Sequence, residues 1–299
     1  MSVSDELGTR MKEYYEQIPK TRLMRRTPVA IRIDGKAFHT FTRGFQKPFD
    51  KILSKAMNET MKYLCENIQG CVLGYTQSDE ITLILVDYKS LTSSAWFDYE
   101  VQKMCSIAAS MATMRFNTAF TALVKDYDMD WRCNLTPQSV QTQEDHKKYM
   151  DALYRSAAKG AMFDARVFNI PKEEVTNLIY WRQLDAIRNS IQMVGQANFS
   201  HKELQNKSCS QIKDMLAVDR KIIWDNYPLR WQRGTCCVKH PETVTCASTD
   251  ENGTITWSAA RPHWEIDYNI PLFKDEGRTY IENLIYFEKA PLLKVVTVN

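Results

Sequence analysis

Apolar and polar positions change period along the chain, and the changes mark out its elements. Val29-Ala-Ile-Arg-Ile-Asp34 is a short, nearly continuous apolar run that stops at Asp34-Gly35, the pattern of a buried strand. Pro48-Phe-Asp50 then opens a segment with Leu53, Met57, Met61, Leu64 and Ile68 at spacings of three and four, an amphipathic helix closed by Gly70. Cys71–Tyr75 reads as a strand, Thr76–Asp79 as a tight turn and Ile81–Val86 as another strand. Trp96 to about Val124 reads as a long helix with Phe97, Val101, Met104, Ala108, Met111, Arg115 and Ala119 on one side. The stretch 125–160 is a polar connection with a helical pattern only over Glu144–Ala157. Its length predicts a functional loop or a partner-contacting arm. Met162–Phe168 is a further strand, ended by Pro171.

The predicted order is β-α-β-β-α-β, so the fold class is α+β: a ferredoxin-like, polymerase-palm sheet with helical and β extensions. Residues 1–28 form a helical and basic entry segment, helical to Gln17, with Lys20, Arg22, Arg25 and Arg26 as a solvated approach or a phosphate contact. Residues 29–170 form the palm-like core with the arm at about 125–160, and 171–299 form a helical and β C-terminal region. In that last part the pattern predicts helices over 172 to about 194 and over 202–216, and a hairpin at Glu251-Asn-Gly-Thr254.

In this topology the first and third strands are antiparallel neighbours, which brings Asp34 beside Asp79 and Glu80. Three carboxylates at one sheet edge repel one another unless a cation neutralises them. An all-oxygen set without His or Cys suits magnesium, completed by phosphates and water. Gly35, lacking a side chain, lets its backbone approach a metal or phosphate closely. Asp-Gly and Ser-Asp-Glu are also ordinary turn compositions, so the spacing alone leaves both readings open.

Composition narrows the class without deciding it. The 299 residues carry 39 basic and 36 acidic side chains, a net +3, with 44% apolar positions, which excludes wholesale disorder and collagen. The longest clean apolar run, Ile81–Val86, is too short for a membrane span, and no export signal is visible, so a cytoplasmic protein with its eight cysteines reduced is expected. Cys236-Cys237-x-x-His240 with Cys246 invites zinc, but adjacent cysteines are poor tetrahedral partners, and buried thiols are the expectation. Trp181, Trp224, Trp231 and Trp257 are read as core rather than base-stacking residues.

Several motifs, in order, closely resemble the tRNA-His guanylyltransferase superfamily. They are Arg32-Ile-Asp-Gly-Lys-Ala-Phe-His-Thr-Phe41, Lys47-Pro-Phe-Asp50, Gly74-Tyr-Thr-Gln-Ser-Asp-Glu80, Phe163-Asp-Ala-Arg166, Trp181-Arg-Gln-Leu-Asp185, Arg230-Trp-Gln-Arg-Gly234 and Asp267-Tyr-Asn-Ile-Pro-Leu-Phe273. The resemblance implies 3′-to-5′ nucleotide addition at the 5′ end of a tRNA, with ATP activating the 5′-phosphate and GTP or another NTP as nucleophile. It makes Asp34, Asp79 and Glu80 catalytic. Asp34, the Gly35 carbonyl and Asp79 would hold two Mg2+ ions. Lys36, Ala37, Phe38, His39, Lys47, Asp50, Ser78 and Lys103 would bind the nucleotide, and the assembly would be a homotetramer or a dimer of dimers.

Members that add guanosine to tRNA-His carry a His-Ile-Asn-Asn run where this chain has Ile187-Arg-Asn-Ser190, and an arginine pair where it has Asp98, Tyr99 and Glu100. These departures are similar instead to the guanylyltransferase-like proteins, template-dependent 3′–5′ polymerases that repair tRNA 5′ ends. Arg188 and Asn189 are then assigned to tRNA. The alternative is a tRNA-His guanylyltransferase; a nucleotidyl cyclase and a non-catalytic tRNA-binding protein are the rivals.

Overall fold

The computed structural model of the protein describes residues 3–133, 140–250 and 253–287. A helix α1 (Val3–Met11) and a π-helical turn (Lys12–Glu16) precede β1 (Val29–Gly35). A short helix α2 (Phe38–Phe41), the helix α3 (Lys51–Asn67), β2 (Cys71–Gln77) and β3 (Glu80–Leu85) follow. Then come α4 (Val101–Cys133), α5 (Val140–Lys159), β4 (Phe163–Asn169) and α6 (Lys172–Asn198). The chain closes with α7 (His201–Leu204), α8 (Cys209–Arg220), α9 (Leu229–Arg233), β5 (Thr235–Asp250), β6 (Gly253–Asp267) and α10 (Thr279–Ile285). The architecture is a mixed α+β fold around one sheet of order β4-β1-β3-β2-β5-β6, antiparallel at every pairing.

Strand alternation divides the core between the two sheet faces. Ile31, Ile33, Ile81 and Leu83 pack against Met57 and Met61 of α3 and Phe116 and Phe120 of α4. Ala30, Leu73, Tyr75 and Ile84 pack on the other face, against Val175 and Ile179 of α6 and against Phe273 and Ile281. The stripe predicted for α3 is the buried one, with Met57, Met61 and Leu64 at most 1% exposed.

Three expectations are corrected. The long helix starts at Val101 rather than Trp96, because Phe97, Asp98 and Tyr99 take left-handed φ values of 48°, 51° and 55° in a 3₁₀ turn. It also continues past Val124 to Cys133, and the expected polar arm is chiefly the end of α4 and α5, which folds back on it. Tyr149, Met150 and Leu153 of α5 are buried in the main core. These apolar positions are diluted among charges, so the period is faint in sequence. Asp128 ties the hairpin together, accepting from the Tyr154 hydroxyl at 2.7 Å and pairing with Arg132 at 2.8 Å. Likewise the single helix expected over 202–216 is two, because Ser208 caps α8 and a capping box with Gln211 restarts the helix. The expected hairpin is formed by β5 and β6, paired from Cys236↔Asp267 to Asp250↔Gly253. Residues 251 and 252 of the expected turn lie outside the described residues.

Candidate active site

The site lies where β1 ends and β3 begins. Asp34 pairs directly with Glu80 on one side and with Asp164 of β4 on the other. Two residues back, Arg32 sits between Thr82 and Arg166. Because side chains two apart share a face, this face of the sheet carries an acidic rung, Asp164-Asp34-Glu80, next to a basic one. The Gly35 amide donates to the Asp79 carbonyl at 3.1 Å, closing the two strand ends together.

The three expected carboxylates have different surroundings. Asp34 is half-buried and makes no side-chain hydrogen bond or ion pair among the described residues. Asp79 follows Ser78, whose left-handed turn (φ 51°) lets its hydroxyl donate to Asp79 Oδ1 at 2.8 Å. Burial raises the Asp79 carboxyl above the usual carboxylate range; the Ser78 bond opposes this and the charge of Asp34 adds to it. Glu80 is instead 6% exposed and turned to Arg182 Nε at 2.8 Å and Arg32 Nε at 3.4 Å. Burial also raises its pKa, against the pull of Arg182 and Arg32. Glu80 thus lies beside Asp34 on the same face, as expected, but its carboxylate is taken up in a buried ion-pair cluster, whereas Asp34 and Asp79 have no ion pair among the described residues. Among the described residues no group of three or more His, Cys, Asp or Glu side chains gathers as a metal cage.

The segment after Gly35 turns sharply. The Lys36 amide donates to the Met162 carbonyl at 2.9 Å, Ala37 is left-handed (φ 54°), and Phe38 and His39 begin α2, whose first N–H groups lack partners within the turn. Lys36 and His39 are exposed, and Phe38 is buried against Phe41, Phe116 and Phe163. A Cβ at Gly35 would come within 2.3 Å of the Phe38 ring, so the glycine is required by packing.

Asp50 has a structural task that sequence reasoning missed. It caps α3, accepting from the Leu53 amide at 2.9 Å, the Gln46 amide at 3.1 Å and the Tyr149 hydroxyl at 2.7 Å. Lys47 is exposed on the preceding loop. Asp50 and Ser78 both line an open cleft whose other walls include Asn58, Asn189, Arg230 and the stacked pair Phe49 and Trp231, 4.9 Å apart.

Lys103 does not join this group. The Phe163 amide, opposite Gly35 in register, donates to Thr113 Oγ1 on α4. Lys103 lies ten residues earlier, about 15 Å down the helix, with its ammonium 4.7 Å from the Phe97 ring. Asn189 reaches the cleft, while Arg188 hydrogen-bonds to Asp185, which also takes Arg182 at 2.7 Å and Asn189 at 3.3 Å. The basic entry segment is clamped as well. Arg25 pairs with buried Asp87 at 2.7 Å, Arg22 with Asp98 at 2.8 Å, and Arg26 donates to the Ser90 carbonyl. Cys236 and Cys237 are fully buried, and burial pushes the Cys236 thiol up, away from the thiolate that zinc requires. Sequence reading missed Arg32, Asp164 and Arg182 as neighbours of the carboxylates. The alternation Arg32-x-Asp34 and Asp164-x-Arg166 was the available signal.

An antiparallel sheet thus presents two carboxylates without ion pairs beside an open cleft, an arrangement suited to a cation and a phosphate ester. The family described as Thg1, tRNAHis guanylyltransferase, matches residues 8–171. A bacterial tRNA(His) guanylyltransferase (Thg1)-like protein in complex with ATP superposes with a TM-score of 0.70 at 35% identity, over 94% of this chain and 100% of that one. Its GTP complex gives 0.66 and 34%, over 95% and 100%. An uncharacterized protein of Acanthamoeba polyphaga mimivirus is 29% identical over 94% of this chain and 92% of its own length. The chain belongs to the tRNAHis guanylyltransferase (Thg1) family and is a nucleotidyltransferase. Among the described residues no helix is long and apolar enough to cross a membrane.

Proposed function

We propose that the protein adds nucleotides in the 3′-to-5′ direction to the 5′ end of tRNA, reading the opposite strand of the acceptor stem and repairing truncated ends. The observation that carries this reading is Asp34: a half-buried carboxylate without an ion pair, beside Asp79, at the end of a strand next to an open cleft. ATP and GTP complexes of the similar bacterial proteins support the choice of substrates.

The donor set fits magnesium, because it is all oxygen and leaves positions for phosphate and water. Asp34, Asp79 and the Gly35 carbonyl would hold two ions, which, when bound, lower the pKa of the attacking hydroxyl and offset charge on the phosphates. The remaining work falls to the chain. The unpartnered amides of Ala37, Phe38 and His39 face the triphosphate, and exposed Lys36 and Lys47 supply point charges. Ser78, whose hydroxyl is engaged by Asp79, shapes the turn. Phe49 and Trp231 offer a stacking surface to the base, and Asp50 anchors that wall. The 5′-phosphate is adenylylated with loss of pyrophosphate; the 3′-hydroxyl of the incoming NTP then displaces AMP. Lys103, about 15 Å along α4 from the strand ends, is assigned to a more distant phosphate of the bound substrates, and a homotetramer remains the expected assembly.

Asp98 favours repair over addition to tRNA-His, since it occupies the place of a family arginine and is neutralised by Arg22 and Arg25. The test is incorporation of labelled NTP into tRNAs lacking their first nucleotide, against full-length tRNA-His. Preference for the full-length tRNA regardless of the opposing base refutes repair. Full activity in Asp34→Ala refutes the site.

A further inference from the structure

Trp181 stands apart from the other tryptophans the sequence placed in the core. Trp224 is buried and donates to Ser190, and Trp231 stacks on Phe49, whereas Trp181 is 52% exposed. Its ring is braced from the protein side by two guanidinium groups, Arg182 at 4.2 Å and Arg32 at 5.8 Å from the centroid. Arg182 is itself fixed, by Glu80 at 2.8 Å and Asp185 at 2.7 Å. The aromatic surface is therefore held in one orientation and open to solvent. It lies beside Arg32, two residues and about 7 Å along the strand from Asp34. Arg166, opposite Arg32 in register and paired with Asp164 at 3.7 Å, and Arg188, two turns along α6 from Trp181 and paired with Asp185, both keep exposed side chains.

We propose that Trp181 is the platform on which the terminal nucleobase of the RNA substrate stacks, with Arg166 and Arg188 facing its backbone phosphates, so that the 5′ end is set against Asp34. The inference rests on the nucleotide-addition reading and adds the residue that positions the RNA end. A flat aromatic surface with guanidinium groups around it matches a base attached to an anionic backbone. Stacking is tolerant of base identity, as addition to ends of differing sequence requires. The same cations make a poor surface for a second copy of a basic protein.

The probe is a tRNA lacking its first nucleotide and carrying 2-aminopurine as its new 5′-terminal base. Wild-type protein should quench the probe on binding. Trp181→Ala should abolish the quenching and weaken binding about 5- to 150-fold, the range for loss of one stacked base. Trp181→Phe should restore most of both, while ATP binding, thermal midpoint and oligomeric mass stay at wild-type values. Equal quenching and affinity in Trp181→Ala, with wild-type addition intact, overturns the platform and leaves the nucleotide-addition reading standing. A change in oligomeric mass in Trp181→Phe assigns the surface to a second copy and also overturns it. Failure of wild-type protein to extend any truncated tRNA refutes the underlying reading, and the proposal with it.

Discussion

Glu80 and Asp79 are adjacent in sequence, yet the structure predicts opposite consequences for neutralising them. Glu80→Gln leaves Arg182, a guanidinium with a side chain only 7% exposed, facing a neutral amide. Removing one partner of a buried pair costs about 3–5 kcal/mol. Arg182 keeps Asp185 at 2.7 Å, and glutamine still offers a carbonyl oxygen, so the expected loss is about 2–4 kcal/mol. At roughly 2–4 °C per kcal/mol for a chain of this size, the thermal midpoint should fall by about 4–16 °C. Asp79→Asn removes a carboxylate whose pKa is already raised by burial and by Asp34. Its midpoint, measured without magnesium, should hold or rise, while nucleotide addition is lost. The assay is calorimetric melting in EDTA beside NTP incorporation. A Glu80→Gln protein that melts like wild type and loses addition refutes the brace and returns Glu80 to the catalytic group. The sign with pH is fixed for Asp79: burial lifts its carboxyl above its unfolded value, so its contribution to stability is present below the unfolded pKa and lost as pH rises through the folded one.

Asp50→Ala deletes the α3 cap and orphans the buried Tyr149 hydroxyl; a loss of about 2–4 kcal/mol in denaturant melts is expected, with Asp50→Asn milder. A KM effect on NTP in Asp50→Asn with unchanged stability would instead make the side chain a nucleotide contact. Gly35→Ala forces a Cβ to 2.3 Å from Phe38 and should cost at least about 1–3 kcal/mol, largely recovered by adding Phe38→Leu; no recovery in the double variant means the backbone turn is what fails. In the helical hairpin, His146 stacks on Trp131 at 3.8 Å and burial lowers its pKa, while hydrogen bonding from Tyr154 lowers that of Asp128. Both shifts make acid destabilising. Local stability should fall as pH drops below about 6.5 and again below about 4, read as amide exchange across α4 and α5; exchange that is flat over pH 4–7 after correction for intrinsic rates refutes the histidine part.

The sheet was legible because its strands are short, continuous apolar runs ended by Gly or Pro, and because the β-α-β-β-α-β order leaves few pairings. Asp34 beside Asp79 followed from that order alone. The fate of Glu80 did not, since its partner Arg182 is 102 positions away on a helix that sequence places only approximately. Asp50 looked like a ligand for the same reason that it is a cap: a carboxylate at the start of a helix serves both, and its decisive partner, Tyr149, lies in a segment read as a polar arm. The left-handed turn at Phe97–Tyr99 moved the start of α4, and none of its residues is glycine, so nothing local announced it.

The charge pattern on the sheet face carries an argument of its own. Arg32-x-Asp34 runs antiparallel to Asp164-x-Arg166, and the observed register sets Arg32 against Arg166 and Asp34 against Asp164. A slip of two residues in either direction would set an arginine opposite an aspartate and neutralise part of the face internally. Like charges directly opposite cost about 0.2–1 kcal/mol each. The apolar positions between them, Ile31, Ile33, Ala165 and Val167, hold the register, because they pack into the core on the opposite face. The consequence is an acidic rung in which Asp164 pairs with Arg166 at 3.7 Å and Glu80 with Arg182 and Arg32, at 2.8 and 3.4 Å. Asp34 is the carboxylate of the rung left without a cationic partner among the described residues. The near-balance of 39 basic and 36 acidic residues is thus repeated on this face, and the place where a cation is still called for is Asp34.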